Sequence, residues 1–303
     1  MSNERPVIRR FKQADKDLIA ATFEQIRSRH ASTVETLADT VISLRRVHSS
    51  SHNLGIMEAQ HYAHSAIDSN LVMQFLRDRL GIQLLCDHYV ALNKGKPGGG
   101  ISVSSDFTDV LTDAVLESKH VCDANLGTAP DVHVLDSDLS PDQMHLTFVK
   151  PWVHHALVEL LKNGMASSVQ KAIDTDLQIP VPDLYIKVTS HGESGDSLVC
   201  HVFDQGVGLE KESPRKAFEF AKSSSLKRWD RIDEQQSYAM VRAPLGSLGV
   251  GLPMSQIMMQ SFGGDIHLQN RECGYMHKEI GTPLGSGCTS SLILPRDDAI
   301  IGI

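Results

Sequence analysis

The sequence has no long hydrophobic run, no surplus of positive charge and no paired cysteines, and each absence excludes a class of protein. No apolar stretch approaches the ~20 residues needed to cross a bilayer, so no membrane-spanning role is expected. Lys and Arg together number 29 against 37 Asp and Glu, giving a net charge of −8 and a pI near 6.0. Nucleic acid is therefore not an expected partner, because backbone binders need clustered cations to displace counterions. Cys86, Cys122, Cys200, Cys273 and Cys288 are odd in number and widely separated, with no metal-finger spacing among them. They predict free, mostly buried thiols in a reducing compartment. The opening "MSNERPVIRRFKQADKD" lacks an apolar signal core, and Glu4, Asp15 and Asp17 argue against an intact organelle presequence, since transit peptides are acid-poor.

What is present has two textures. From Asp15 to about Leu92, apolar residues such as Leu18, Phe23 and Ile26, then Leu37, Val41 and Leu44, recur at helical spacing and predict a helical bundle. "NKGKPGGGISVSSD" reads as a loop and is followed by a helix over roughly Phe107 to Asp123. After Asn125 come short β-rich runs, "DVHVLDS", "MHLTFV", "DLYIKVTS" and "SLVCHVFD", and later "GGDIHLQ" and "CTSSLILP". The fold class is α+β: a bundle over residues 1–125, then an α/β domain over residues 126–303. A polar stretch of about residues 210–245 lacks periodicity and predicts a lid or binding loop.

The chemistry concentrates in the second half. "HHALVELLKNGMASSVQ" is helical, and His155, Glu159, Lys162 and Asn163 fall on one face of it while the rest of the wheel is largely apolar. Polar helix faces are usually solvent faces, but this one sits on an otherwise embedded helix, as a cavity wall would. "FDQGVGL" puts the Asp204 carboxylate at a strand tip, with Gly206 and Gly208 where the backbone turns. D-x-G alone is equally consistent with a capped turn. "GSLGVGL" runs into a helix, the arrangement that aims backbone N–H groups and a positive helix end at an anion. There is no G-x-x-x-x-G-K-[ST], no H-R-D or D-F-G, and no dinucleotide fingerprint, so the commoner nucleotide folds are excluded.

In order, "HALVELLKN", "DQGVG" and "GVGLP" resemble the N, G1 and G2 boxes of the GHKL ATPase superfamily. The His-x-x-x-Glu-x-x-Lys-Asn spacing resembles its mitochondrial branch, the pyruvate and branched-chain α-ketoacid dehydrogenase kinases. "HNLGIMEAQ" and "FLRDRLGIQLLCDHYVALN" look like that branch's bundle helices. The resemblance implies a sandwich ATP-binding (Bergerat, GHKL) domain and an ATP-dependent protein serine/threonine kinase. It gives Glu159 as general base with His155 orienting it, Lys162 offsetting phosphate charge, and Asn163 holding Mg²⁺. Asp204 would take the adenine amino group, Gly206 and Gly208 would hinge the lid, and Gly246, Ser247, Leu248, Gly249, Val250, Gly251 and Leu252 would line the triphosphate together with Thr289. The implied substrate is an E1α subunit, the implied partners are a lipoyl domain of E2 and a second copy of the chain, and the implied location is the mitochondrial matrix.

The sequence also departs from the family. The first loop glycine falls on Ser247, the last strand reads Gly287-Cys288 where a Gly-Thr pair is expected, and position 205 is Gln rather than Arg. The chain stops at Ile303, without the long tail of the pyruvate enzymes. "HN" at His52, "MEAQ" and "FGGD" nonetheless look more like the pyruvate branch than the branched-chain one. Two alternatives of other classes are a two-component-type histidine kinase, using one of His48, His52, His61, His64 or His88, and a non-catalytic scaffold switched by nucleotide.

Overall fold

The structure is a computed structural model that describes residues 12–52, 69–137, 139–175, 180–191, 196–209, 214–222, 248–276 and 283–296. "HNLGIMEAQ" after its first residue, His61 and His64, Gly246 and Ser247, and most of the expected lid lie outside the described residues, as do the side chains of His48 and His52.

Three helices open the chain: α1 (Gln13–Arg29), α2 (Thr33–His52) and α3 (Ser69–Asn93). Their small and branched residues interlock at the centre, with Ala20, Ala38, Val41, Leu76 and Leu80 all buried. α1 lies against α3 through an edge-to-face pair, Phe23 on Tyr89 at 5.3 Å, and through Lys94 with Glu24 at 2.7 Å. α4 (Phe107–Leu126) follows. It starts where the Asp106 side chain accepts from Thr108 N and stops at Gly127, whose φ of 73° suits a residue without a Cβ.

The stretch expected to be a plain loop before α4 contains a strand, β1 (Ser102–Asp106). It pairs antiparallel with β3 (His145–Phe148), the run read as "MHLTFV", and the two form a separate ribbon. Local composition hid β1 because its partner lies about forty residues downstream.

The main sheet has five strands in the order β2-β4-β5-β9-β6: β2 (Val132–Val134), β4 (Leu184–His191), β5 (Ser197–Phe203), β9 (Gly287–Pro295) and β6 (Asp265–Arg271). A short hairpin, β7 (Tyr275–Met276) with β8 (Pro283–Leu284), sits between β6 and β9 and escaped the sequence reading because each arm is only two residues. One face of the sheet carries Ile186, Val188, Leu198, Cys200, Val202, Leu292, Leu294 and Ile266, all buried under α5 (Lys150–Asp174) and α6 (Gly251–Gln260). The opposite face carries Thr189, His201, Ser291 and His267, and holds an open polar cleft of about 790 Å³. α5 also packs along α4, so one continuous core runs from Ala38 to Leu294. Among the described residues no helix is long and apolar enough to cross a membrane. Cys122, Cys200 and Cys288 are buried, Cys273 is exposed, and all five cysteines are free.

Candidate nucleotide site

α5 begins with Pro151 in its first turn, where a missing N–H costs nothing, and buries most of its circumference. The polar stripe is the exception, and it divides in two. Glu159 and Lys162 are buried and paired, Nζ to Oε1 at 2.5 Å, whereas Asn163 is exposed and makes no hydrogen bond among the described residues. His155, half-buried one turn before Glu159, has its pKa lowered. Burial disfavours the imidazolium more than the nearby Glu159 carboxylate favours it.

The start of α6 comes up against this stripe. A Cβ on Gly251 would collide with the Glu159 carboxylate, so glycine here lets that carboxylate rest against the helix start. Gly249 has a φ of 71° and presses on the backbone of Lys222, and its carbonyl accepts from Ala221 N at 3.0 Å. Val250, at the N-cap, offers no side-chain acceptor, and no side chain among the described residues caps the first amides of α6, the groups that a helix start presents to an anion. Leu248, Val250 and Leu252 are half-buried and pack on the core.

Asp204 lies just past β5, 4% exposed. Its Oδ1 accepts from Gly206 N at 2.9 Å and Cys288 N at 3.1 Å, while Oδ2 takes no hydrogen bond among the described residues. Burial pushes its pKa up. The two N–H donors, Arg271 and Lys171 pull the other way. A Cβ added at Gly164 of α5 would meet the Asp204 side chain at ordinary contact distance, so this glycine lies beside it. The turn itself is fastened at both shoulders, Val207 N donating to Ser167 Oγ at 3.0 Å and Leu209 N to Asn270 Oδ1 at 2.7 Å.

Thr289 does not join this group. Strand alternation turns it to the open sheet face, where its Oγ1 accepts from Arg271 at 3.1 Å, and brings Cys288 to the Asp204 side. Burial and the Asp204 charge push the Cys288 thiol up to about 11, so it stays neutral. The strand period in the sequence carries the signal for this placement, since Ser290, Leu292 and Leu294 share the face of Cys288. Sequence reasoning missed Arg271, Lys171 and Ser167 altogether.

The geometry fits a nucleotide. Among the described residues one buried carboxylate oxygen lacks a donor and no side chain caps the helix start that meets the buried Glu–Lys pair, with an exposed amide on that pair's helix. Among the described residues no cluster of three or more His, Cys, Asp or Glu could cage a metal. A divalent cation here would depend on the Asn163 amide oxygen, phosphate oxygens and water, as Mg²⁺ commonly does.

Residues 5–119 match the family model described as mitochondrial branched-chain alpha-ketoacid dehydrogenase kinase. The chain is similar to rat pyruvate dehydrogenase (acetyl-transferring) kinase isozyme 1, mitochondrial, 25% identical over 84% of this chain and 59% of the relative. It is also similar to the Drosophila melanogaster pyruvate dehydrogenase kinase, 24% identical over 83% and 59%, and to that of Schizosaccharomyces pombe, 22% identical over 67% and 47%. The chain thus spans under two thirds of the length of these relatives. The similarity to the pyruvate dehydrogenase kinases thus extends over most of this chain, and the match to the branched-chain kinase family model covers its N-terminal helices.

Proposed function

We propose that this chain is an ATP-dependent protein serine kinase of the mitochondrial matrix that phosphorylates, and so inactivates, the E1α subunit of an α-ketoacid dehydrogenase complex. The observation that carries the reading is the convergence of three separate segments: Glu159 against Gly251 at the α6 start, Asn163 exposed beside them, and Asp204 with an unpartnered buried oxygen beside Gly164. Bound ATP with Mg²⁺ would supply the transferable phosphoryl group and charge neutralisation. The residues of the chain do the rest. Asp204 Oδ2 accepts from the adenine amino group, Asn163 presents its amide oxygen to the cation, and the α6 amides face the phosphates. Glu159 takes the proton of the incoming serine hydroxyl. Lys162, now on Glu159, is within reach of the same space and offsets negative charge there. Positioning and electrostatics account for most of the rate in phosphoryl transfer, which matches a site built of fixed donors.

The pyruvate complex is the proposed target, supported by the names of the relatives. The branched-chain complex is the second reading, favoured by the description of the family model over the bundle. Docking on an E2 lipoyl domain is supported by an exposed apolar row on α3, Leu71, Phe75, Ile82 and Leu85. Dimerisation is supported by the open face of the sheet.

The test is to incubate the protein and ATP with purified pyruvate and branched-chain E1 and to map the phosphosites. Phosphoserine on E1α that survives acid supports the proposal. An acid-labile phosphate on the chain's own histidine assigns it instead to the histidine kinases, and nucleotide binding with no transfer assigns it to the scaffolds. Glu159→Gln should bind ATP as before while transfer falls by about 10²-fold or more. Undiminished transfer would remove Glu159 from the base role.

A further inference from the structure

Residues 214–222 lie in the stretch whose composition predicts a lid, and they are fastened to the start of α6. Pro214–Phe218 form a 3₁₀ turn. Phe220 and Ala221, 2% and 3% exposed, then join the core that holds Met254 and Ile257 of α6. Ala221 has a φ of 55°, a left-handed conformation that costs an alanine energy, and its N–H donates to Gly249 O at 3.0 Å. A Cβ on Gly249 would lie 2.5 Å from both N and O of Lys222, so the Lys222 backbone rests directly on the turn that enters α6.

The Lys222 side chain is 43% exposed, and its Nζ pairs with Glu219 Oε2 at 3.0 Å. Buried Phe220 and Ala221 stand between these two residues in the chain, so the backbone that carries both charges is anchored. A helix start carries positive dipole charge and unsatisfied N–H groups, no side chain among the described residues caps α6, and a lysine rooted beside it adds a like charge. The arrangement becomes favourable when an anion lies between the two.

We propose that Lys222 is a phosphate-contacting residue of the nucleotide site: its ammonium leaves Glu219 and closes on the outer phosphates of a nucleoside triphosphate whose other oxygens meet the α6 amides. Glu219 is the counter-ion that holds the lysine until then. A half-exposed pair three residues apart is weak, and a polyphosphate carrying several charges displaces it. Two separate positive features need two separate groups of oxygens, so the site favours a polyphosphate over a monophosphate. The adenosine part of the ligand rests on the nucleotide reading above; the contact between Lys222 and a polyphosphate does not.

The experiment titrates ATP, AMP and inorganic tripolyphosphate, each with Mg²⁺, into the wild type and into Lys222→Met, Lys222→Arg and Glu219→Gln, with binding read by calorimetry. Lys222→Met should weaken ATP and tripolyphosphate by about ten-fold or more and leave AMP unchanged. Lys222→Arg, which keeps the charge, should recover most of the loss. Glu219→Gln should bind ATP about two-fold or more tightly than the wild type, because no carboxylate then competes for the ammonium. A lysine that only supported the fold would move AMP and ATP alike.

An unchanged ATP affinity in Lys222→Met, a loss of equal size for AMP and ATP, or weaker ATP binding in Glu219→Gln would each overturn the proposal. A wild type that binds tripolyphosphate but not ATP, with the Lys222→Met loss intact, would keep the lysine contact and sink the nucleotide reading instead. One that binds neither would sink both.

Discussion

Asp204 is a residue whose chemistry opposes its stability. Burial raises its pKa, so above the unfolded value the native state carries the cost of an ionised, desolvated group with one unpartnered oxygen. Asp204→Asn keeps an oxygen for the Gly206 and Cys288 amides and removes that cost. The variant should unfold at a higher temperature than the wild type at pH 7, by the equivalent of about 1 kcal/mol, and lose ATP binding in isothermal titration. A variant that is both less stable and binding-competent would contradict the role given to the carboxylate. At this scale the sequence was informative where a residue's partners are local. Glu159, Asn163 and Asp204 announce themselves through spacing on one helix or a D-x-G turn. Arg271 and Lys171 were illegible because they bond backbone carbonyls of residues as many as 115 positions away, and any exposed Arg or Lys would look the same in the string. Thr289 lies on the open face because strand period, not residue type, decides which side of the sheet a residue takes.

At the scale of elements, the contact between α6 and α5 sets the spacing of the site. Gly251 is the first residue of α6, and its Cα is the surface on which the Glu159 carboxylate rests. Gly251→Ala should push Glu159 aside or move the helix start. The expected result is a fall in kcat of about 10²-fold, since misplacing a reacting group by about 1 Å is that expensive. The fold itself should survive, because alanine is a good helix former, and circular dichroism with an unfolding curve would check this. Full activity in Gly251→Ala would mean that the two helices do not meet in the working enzyme as they do here. Long periodic helices and alternating strands were legible from the sequence. The ribbon β1–β3 and the hairpin β7–β8 were not, since short strands draw their stability from distant partners rather than from their own composition.

Across the whole molecule, packing crosses the change of sequence texture near residue 125. α4 lies almost wholly before residue 126, and its Val110, Leu111, Ala114 and Cys122 are buried in the core that includes Leu157, Leu160 and Leu161 of α5. Ser118 Oγ lies 3.5 Å from Val158 O. β1 adds the pairing with β3. A fragment of residues 126–303 should therefore aggregate, having lost the cover over α5, whereas residues 97–303 should give a cooperative unfolding transition. Size-exclusion chromatography and calorimetry on both fragments decide this, and a monomeric, cooperatively folded 126–303 would restore the boundary drawn from composition.

The strand order β4-β5-β9-β6 also imposes a schedule. Asp204 sits at the end of β5, but the Cys288 amide that receives its carboxylate belongs to β9, 84 residues later. On a ribosome, the acceptor emerges long before its donor, and the centre of the sheet stays open until residue 295 has been made. A message cut anywhere before codon 287 would yield a chain with two unpaired strand edges and a half-built pocket. The turn that holds Asp204 is therefore complete only once β9 has joined the sheet.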